Sequence, residues 1–312
     1  MRRGIVLGVL IAVGGLSLAV AGFQGPPQGP PSQAALTATK IEKVKDNLYV
    51  VTGSGADNFA AFSGGNTAVF VTDRGVVLVD TKLSGWGQVL LDRIKTVTDK
   101  PVTTIINTHT HGDHTGSNEF FGTMVESIVQ ENTEALMATM DAFKGDKARF
   151  LPNKTFKDTL TLGSGRDRVD LHYFGKGHTS GDTWVVFPAL RVMHAGDMFA
   201  WKALPLVDRM NGGSAVDYPQ TLAKAVATVK NIDTIITGHT PLMTPRDLQE
   251  YADFNKDFVA WAQGEMKAGT TVEQAAADYK VPAKYRGYTA VVTDGFGGVR
   301  ANVQAVYDES KK

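Results

Sequence analysis

"NTHTHGDHTGS", Asn107 to Ser117, follows the apolar run "TTII" and holds three histidines and an aspartate within six residues. The whole chain has seven histidines. Residues i and i+2 on extended chain point the same way, so His109 and His111 can face one point. Asp113 and His114 fall in the turn that follows and can reach a second point nearby. A helical zinc site would instead space its histidines four apart. No packing role needs four imidazole and carboxylate donors at the end of a buried strand, so the cluster points to metal binding. The chain has no cysteine, which excludes disulfides and thiolate ligands. Any metal must sit on imidazole and carboxylate.

Outward from this stretch the chain alternates strands and helices. "NLYVVTG" (47–53), "NTAVFVTD" (66–73) and "GVVLVDT" (75–81) are apolar runs bounded by Gly, Asn and Asp, the signature of strands and hairpins. "WGQVLLDRIKTV" follows, with Trp86, Val89, Leu90, Ile94 and Val97 at helical spacing. "VTTIINT" is then a buried strand that delivers the chain to His109. The second half resembles the first. "TWVVFPALRVMHAGDMF" (183–199) can be laid over "TAVFVTDRGVVLVDTKL" (67–83), each reading as strand, turn, strand and aspartate. A helix over 216–230 and the strand "IDTIITGHT" (232–240) then lead to His239, as "TTIINTHT" leads to His109. This predicts an α/β fold of two βα halves, packed sheet against sheet with helices outside. From Thr244 the tail reads as helical: Thr244-Pro245-x-Asp247 is a helix start, and Leu248, Tyr251, Phe254, Phe258 and Trp261 continue as an apolar stripe.

The chain has 312 residues and formal net charge zero. Balanced charge gives no support for nucleic acid or an acidic membrane as partner. "MRRGIVLGVLIAVGGLSLAVA" (1–21) has the layout of a secretory signal: basic start, apolar run, small-x-small end at Ala19-Val20-Ala21. The alternative is an uncleaved anchor, since the 18 residues from Gly4 to Ala21 sit at the short edge of a spanning helix. The Pro/Gly/Gln-rich stretch 22–38 reads as a disordered linker. A domain is then expected over 39–243, with a helical extension over 244–312 packed on it. A periplasmic or secreted location follows from the signal.

Further donors occur in order along the chain. His178 lies in "GKGHTSGDTW", Asp197 in "HAGDMF" and His239 in "TGHTP", each in a turn or at a strand end. Asp182 shares the turn with His178 and is equally readable as a turn-capping carboxylate. "HTHGDH" matches the HxHxDH signature of the metallo-β-lactamase superfamily. "GHTSGD", "HAGD" and "TGHT" resemble its later metal motifs, and "GVVLVDT" its early Asp motif. The resemblance runs from about Lys45 to Thr240 and is specific for the superfamily but weakly specific for substrate.

That resemblance implies an αββα sandwich holding two metal ions. His109, His111 and His178 would bind the first ion; Asp113, His114 and His239 the second; Asp197 would bridge. Asp80 would orient the turn that carries the ligands. His172 and His194 match no motif and read as structural. Imidazole and carboxylate accept zinc, iron and manganese alike, with zinc the default for an exported hydrolase of this type. Two ions close together lower the pKa of a shared water, so that a bound hydroxide can attack a carbonyl, with Asp113 orienting it and passing the proton on.

The spacing of 19 residues from His178 to Asp197 and 42 from Asp197 to His239 resembles class B1 β-lactamases. That class carries cysteine where this chain has Asp197 and lacks the histidine found at 114, departures that look like glyoxalase II and lactonases. The expected function is hydrolysis of a small-molecule substrate, with a β-lactam as the specific expectation. A lactone, thioester or phosphodiester hydrolase is the alternative, and a periplasmic metal-binding module the non-enzyme one. Residues 53–65 would form a flap with Phe59 and Phe62 as apolar contacts. Lys202 and Asn211 lie where the superfamily places substrate-contacting loops, a solvated surface role being the alternative. Oligomeric state is not legible.

Overall fold

A computed structural model describes residues 31–53, 58–291 and 297–311. The expected signal segment and the first part of the linker lie outside the described residues. One sheet contains β1 (Ile41–Lys45), β2 (Leu48–Val51), β3 (Thr67–Val71), β4 (Val76–Val79), β5 (Val102–Ile106), β6 (Glu126–Gln130) and β7 (Lys154–Phe156), in that spatial order. Its first four strands pair antiparallel and β4 to β7 run parallel. The second sheet contains β8 (Thr159–Leu162), β9 (Val169–Tyr173), β10 (Thr183–Phe187), β11 (Val192–His194) and β12 (Thr234–Ile236), with β11 and β12 parallel and the rest antiparallel.

The helices are α1 (Gln33–Ala38), α2 (Gly87–Lys95), α3 (Gly112–Thr115), α4 (Glu131–Met137), α5 (Tyr218–Thr228), α6 (Pro245–Lys267), α7 (Val272–Asp278) and α8 (Gly298–Ser310). The sheets meet through Val50, Phe70, Val79 and Ile106 on one side and Leu171, Val185, Phe187 and Ile236 on the other. Phe70 and Phe187 face each other with ring centroids 5.0 Å apart. The outer face of the first sheet packs Val69, Leu78 and Ile105 on Leu90 and Ile94 of α2. The outer face of the second packs Trp184, Val186, Met193 and Ile235 on α5, α6 and α8. Burial on both faces explains why β4 and β10 read as unbroken apolar runs rather than alternating ones. The result is an αββα sandwich with its C-terminal helices sharing the outer core.

The two halves correspond as the sequence predicts. Hairpin β3–β4, α2 and β5 in one half match hairpin β10–β11, α5 and β12 in the other. In each half the last two strands are parallel neighbours, so their carboxyl ends emerge at the same edge. Ligand sites in α/β sheets collect at such ends, and this edge carries Asp80, His109, Asp197 and His239.

The linker expectation needs one correction. Residues 33–38 form α1, started by the Ser32 side chain, which accepts from the Ala35 N–H. Ala35 is buried against Phe62, Leu83 and Trp86, so ordered chain begins before Thr39. A six-residue helix with a single buried alanine leaves too little apolar periodicity to stand out from a Pro/Gly/Gln-rich background. The tail behaves as read: Thr244 and Asp247 form a reciprocal capping box with Pro245 in the first turn of α6.

Candidate metal centre

Strand β5 ends at Ile106; the chain then bends through 108–110 rather than continuing extended as the sequence reading expects, and returns to extended backbone at His111, the residue before α3 (φ −64°, ψ 145°). Asp113 and His114 then leave the single turn of α3. His178 comes from the turn between β9 and β10, Asp197 from the 3-10 turn after β11, and His239 from the loop after β12. All seven side chains are at least nine-tenths buried. Glycines make room for them: a Cβ on Gly65 would overlap the His114 ring, and one on Gly238 would overlap Asp197 Oδ1.

The donors fall into two groups, His109, His111, His178 and Asp197 in one and Asp113, His114 and His239 in the other. In the second group His114 Nε2 and His239 Nε2 are 3.3 Å apart, and each is 3.4 Å from Asp113 Oδ2. Asp197 completes the figure, with Oδ1 3.3 Å from His114 Nε2 and Oδ2 3.2 Å from His239 Nε2. A tetrahedral ion with bonds of about 2.0–2.1 Å spaces its donors by about 3.3–3.4 Å. The group therefore fits a first-row divalent ion without rearrangement. In the first group His111 Nδ1 and His178 Nε2 are 3.0 Å apart, and Asp197 Oδ2 is 3.7 Å from His178 Nε2. Asp197 thus touches both groups.

The tautomers are set from behind. His114 Nδ1–H donates to Asp80 Oδ2 (2.7 Å), His111 Nε2–H to Asp208 Oδ2 (2.6 Å) and His178 Nδ1–H to the Leu206 carbonyl (2.7 Å). The Thr108 hydroxyl donates to Asp80 Oδ2 (2.8 Å) and accepts from His109 Nδ1–H (3.0 Å). Each of these rings therefore turns its other nitrogen toward the cluster, as metal-ligating histidines do. His109 Nε2 has no hydrogen-bond partner among the described residues. Lone pairs aimed at one another across 3.0–3.3 Å repel unless a proton or cation lies between them. The donor set fits zinc, iron or manganese equally.

Electrostatics divides the rings. Burial lowers His109 and His178, and neighbouring imidazoles lower them further. Burial also works against a charge on His114, but Asp113, Asp197 and Asp80 outweigh it and raise its pKa well above the usual histidine value. His111 is raised for the same reason, with the Asp208 hydrogen bond the largest favourable contribution. Burial would raise Asp113, yet the His114 and His239 rings bring it down to about 2.

Asp80 sits at φ 66°, a left-handed conformation rare for a non-glycine residue. There its carboxylate also accepts from the Thr108 N–H (2.8 Å), tying the end of β4 to the start of the ligand loop. Asp182 accepts from the N–H and hydroxyl of Thr179, the turn-capping role. His194 donates to the Asn66 carbonyl and accepts from the Gly196 N–H, and His172 stacks on Phe174; both are structural. The two candidate substrate contacts have other partners. Lys202 pairs with Asp247 at the start of α6, and Asn211 donates to Asp208 Oδ2 (2.6 Å). Of the flap, residues 54–57 and the Phe59 side chain lie outside the described residues. Phe62 is buried with its ring 5.6 Å from that of His239, and Trp201 lies 5.9 Å away.

Asp208, Leu206 and Thr108 are not evident from the sequence. In the structure Asp208 also caps a short turn, accepting from Met210 and Asn211 N–H. A fourth is Lys82, buried at φ 68° with no hydrogen-bond partner for Nζ among the described residues. Burial lowers its pKa to about 7, against the pull of Asp113 and Asp80.

A family model described as the metallo-beta-lactamase superfamily matches residues 61–239. A metallo-beta-lactamase type 2 from Elizabethkingia meningoseptica is 27% identical over 227 residues, 70% of this chain and 86% of that one. The metallo-beta-lactamase IND-1 of Chryseobacterium indologenes is 26% identical over 200 residues, 63% of this chain and 80% of that one. Among solved structures, a sec-alkylsulfatase, Pisa1 from Pseudomonas sp., superposes with TM-score 0.72 at 16% identity, covering 88% of this chain and 51% of its own. A metallo-beta-lactamase from Pontibacter korlensis does so with TM-score 0.60 at 21% identity, covering 70% and 99%. At these identities the structural likenesses speak for the fold.

Proposed function

The chain belongs to the metallo-beta-lactamase superfamily and is a metal-dependent hydrolase, and from that premise we propose that it is an exported, dinuclear enzyme that opens β-lactam amides. The observation that carries the dinuclear reading is the pair of buried donor groups joined by Asp197, with four of five imidazoles fixed from behind. Zinc is the proposed metal, with iron or manganese as alternatives. The β-lactam reading is supported by the curated relatives, which are named as metallo-beta-lactamases. Export rests on the signal-like residues 1–21; among the described residues no helix is long and apolar enough to cross a membrane.

Ions held by His109, His111, His178 and Asp197 and by Asp113, His114 and His239 would supply Lewis-acid activation of water and a positive field at the site. The protein does the rest. Asp113, ionised at neutral pH, takes a proton from the attacking water and delivers it to the leaving nitrogen as the C–N bond breaks. The Phe62 and Trp201 rings beside His239 form an apolar wall that excludes water and receives a nonpolar substrate face. Asp80, Thr108 and Asp208 hold the ligand rings so that no reorganisation is needed during the reaction.

The test is a substrate panel on metal-loaded protein: a cephalosporin, a lactone, a thioester, a phosphodiester and a sulfate ester. The expected result is cephalosporin turnover that chelation abolishes. An untouched cephalosporin beside rapid turnover of another member moves the assignment to that ester class. Full metal loading with no turnover of any member would make the chain a metal-binding module.

A further inference from the structure

We infer that helix α8 is a built-in support of the three-histidine group, with Glu309 and Asn302 as positioning residues that act through the segment 202–216. The inference rests on the metal-centre reading above. The segment lies between the Asp197 turn and α5, and its regular structure is one short 3-10 turn, Arg209–Asn211. Yet it supplies the Leu206 carbonyl that orients His178 and the Asp208 carboxylate that orients His111. It also grips the His178 turn directly, Asp208 N–H donating to the His178 carbonyl and Ser214 N–H to that of Gly177, each at 2.9 Å. Its internal bonds are concentrated in the turn 207–213, around Asp208, and the stretches on either side, 202–206 and 214–216, lie outside that turn and draw their stability from what they pack on. To hold two ligand rings, the segment has to be fixed from outside.

Helix α8 provides that fixation on both sides of Leu206 and Asp208. Asn302 Nδ2 donates to the Pro205 carbonyl (3.0 Å). Asp308 pairs with Arg209 (2.8 Å). The Glu309 carboxylate accepts from the Ser214 hydroxyl (2.6 Å), the Val216 N–H (3.1 Å) and the Ala215 N–H (3.2 Å). A carboxylate collecting three donors from three successive residues sets the path of that chain, and charge-assisted bonds of this kind are the strong ones. The helix is itself anchored, with Val303, Val306 and Tyr307 buried in the outer core. The other metal group is supported differently. His114 is held by Asp80, and its carbonyl accepts from Asn107 Nδ2 and the Thr81 N–H, all from the first sheet. Loosening α8 should therefore affect the two groups unequally.

The full-length, metal-free protein is titrated with Co2+ against a competing chelator to give two stepwise dissociation constants. His178→Ala identifies the constant that belongs to the three-histidine group. Glu309→Ala and Asn302→Ala are compared with the parent and with Ile94→Val, a destabilising change in α2 on the opposite face. Hydrogen exchange over 202–216 is followed in the same metal-free samples. The expected result is faster exchange in this segment and a weakening of the three-histidine group by roughly 10–100-fold, with the other constant nearly unchanged. Glu309→Gln, whose amide oxygen still accepts, falls between, and Ile94→Val matches the parent. If Glu309→Ala does not fold, Glu309→Gln and Asn302→Ala carry the same comparison. Unchanged constants in folded variants, or equal weakening of both groups, overturn the inference. A parent that binds no ion removes the metal-centre reading and the inference with it.

Discussion

Replacing Lys82 with methionine should stabilise the metal-free protein, and the gain should depend on pH in a defined way. Lys82 is fully buried, and its pKa falls from 10.5 to about 7. At about 1.4 kcal/mol per pH unit, that displacement corresponds to about 5 kcal/mol, a large share of a typical folding stability of about 5–15 kcal/mol. The sign follows from proton counts. Between pH 7 and 10.5 the unfolded chain carries a proton on this amine and the folded protein does not. Parent stability therefore rises with pH across that window, by about 1.4 kcal/mol per unit from this group. Above the window neither state is charged and the penalty vanishes; below it both are charged and the penalty is complete. Methionine keeps the unbranched stem and makes the same demand on the left-handed backbone, so only the charge term changes. Urea unfolding of chelated parent and Lys82→Met at pH 7, 8, 9 and 10 measures the difference. The variant should be more stable at pH 7 by up to about 5 kcal/mol, and the advantage should shrink steadily toward pH 10. A difference that is constant across these pH values would refute the reasoning.

Gly238→Ala places a methyl on the Asp197 carboxylate and should weaken metal binding at least roughly tenfold, while a thermal melt of the chelated protein shifts only slightly; unchanged affinity would mean the carboxylate is free to move aside. Asp197→Ala should reduce saturation toward one ion per chain by elemental analysis, because Asp197 reaches both groups; full dinuclear occupancy would show that it is not a ligand. Metal affinity should climb with pH through the raised pKa values of His111 and His114, since both must lose protons to bind. Calorimetric titration in two buffers of different ionisation enthalpy should accordingly report proton release on loading, and identical heats in the two would contradict it.

The candidate donors stand out in the sequence because several follow apolar strands closely, and a polar cluster after "TTII" or "DTIIT" has no packing explanation. The layered architecture was legible for a related reason: strands covered on both faces read as continuous apolar runs, and the two halves share one order of elements. What supports the donors was hidden by distance along the chain. Asp208 meets His111 across 97 residues, and Leu206 contributes a carbonyl that any residue would bring. Lys202 and Asn211 are placed by analogy of position, and the pairing of Lys202 with Asp247 at the start of α6, 45 residues along the chain, is not visible in the sequence. The α1 turn was masked by its proline- and glycine-rich surroundings.

The central claim, two ions held by one constellation of imidazoles and carboxylates, is tested most directly by equilibrium dialysis of chelator-stripped protein against zinc, with the bound metal counted by elemental analysis. The account predicts two zinc ions per chain at saturation. Saturation at one ion, or at none, would contradict it.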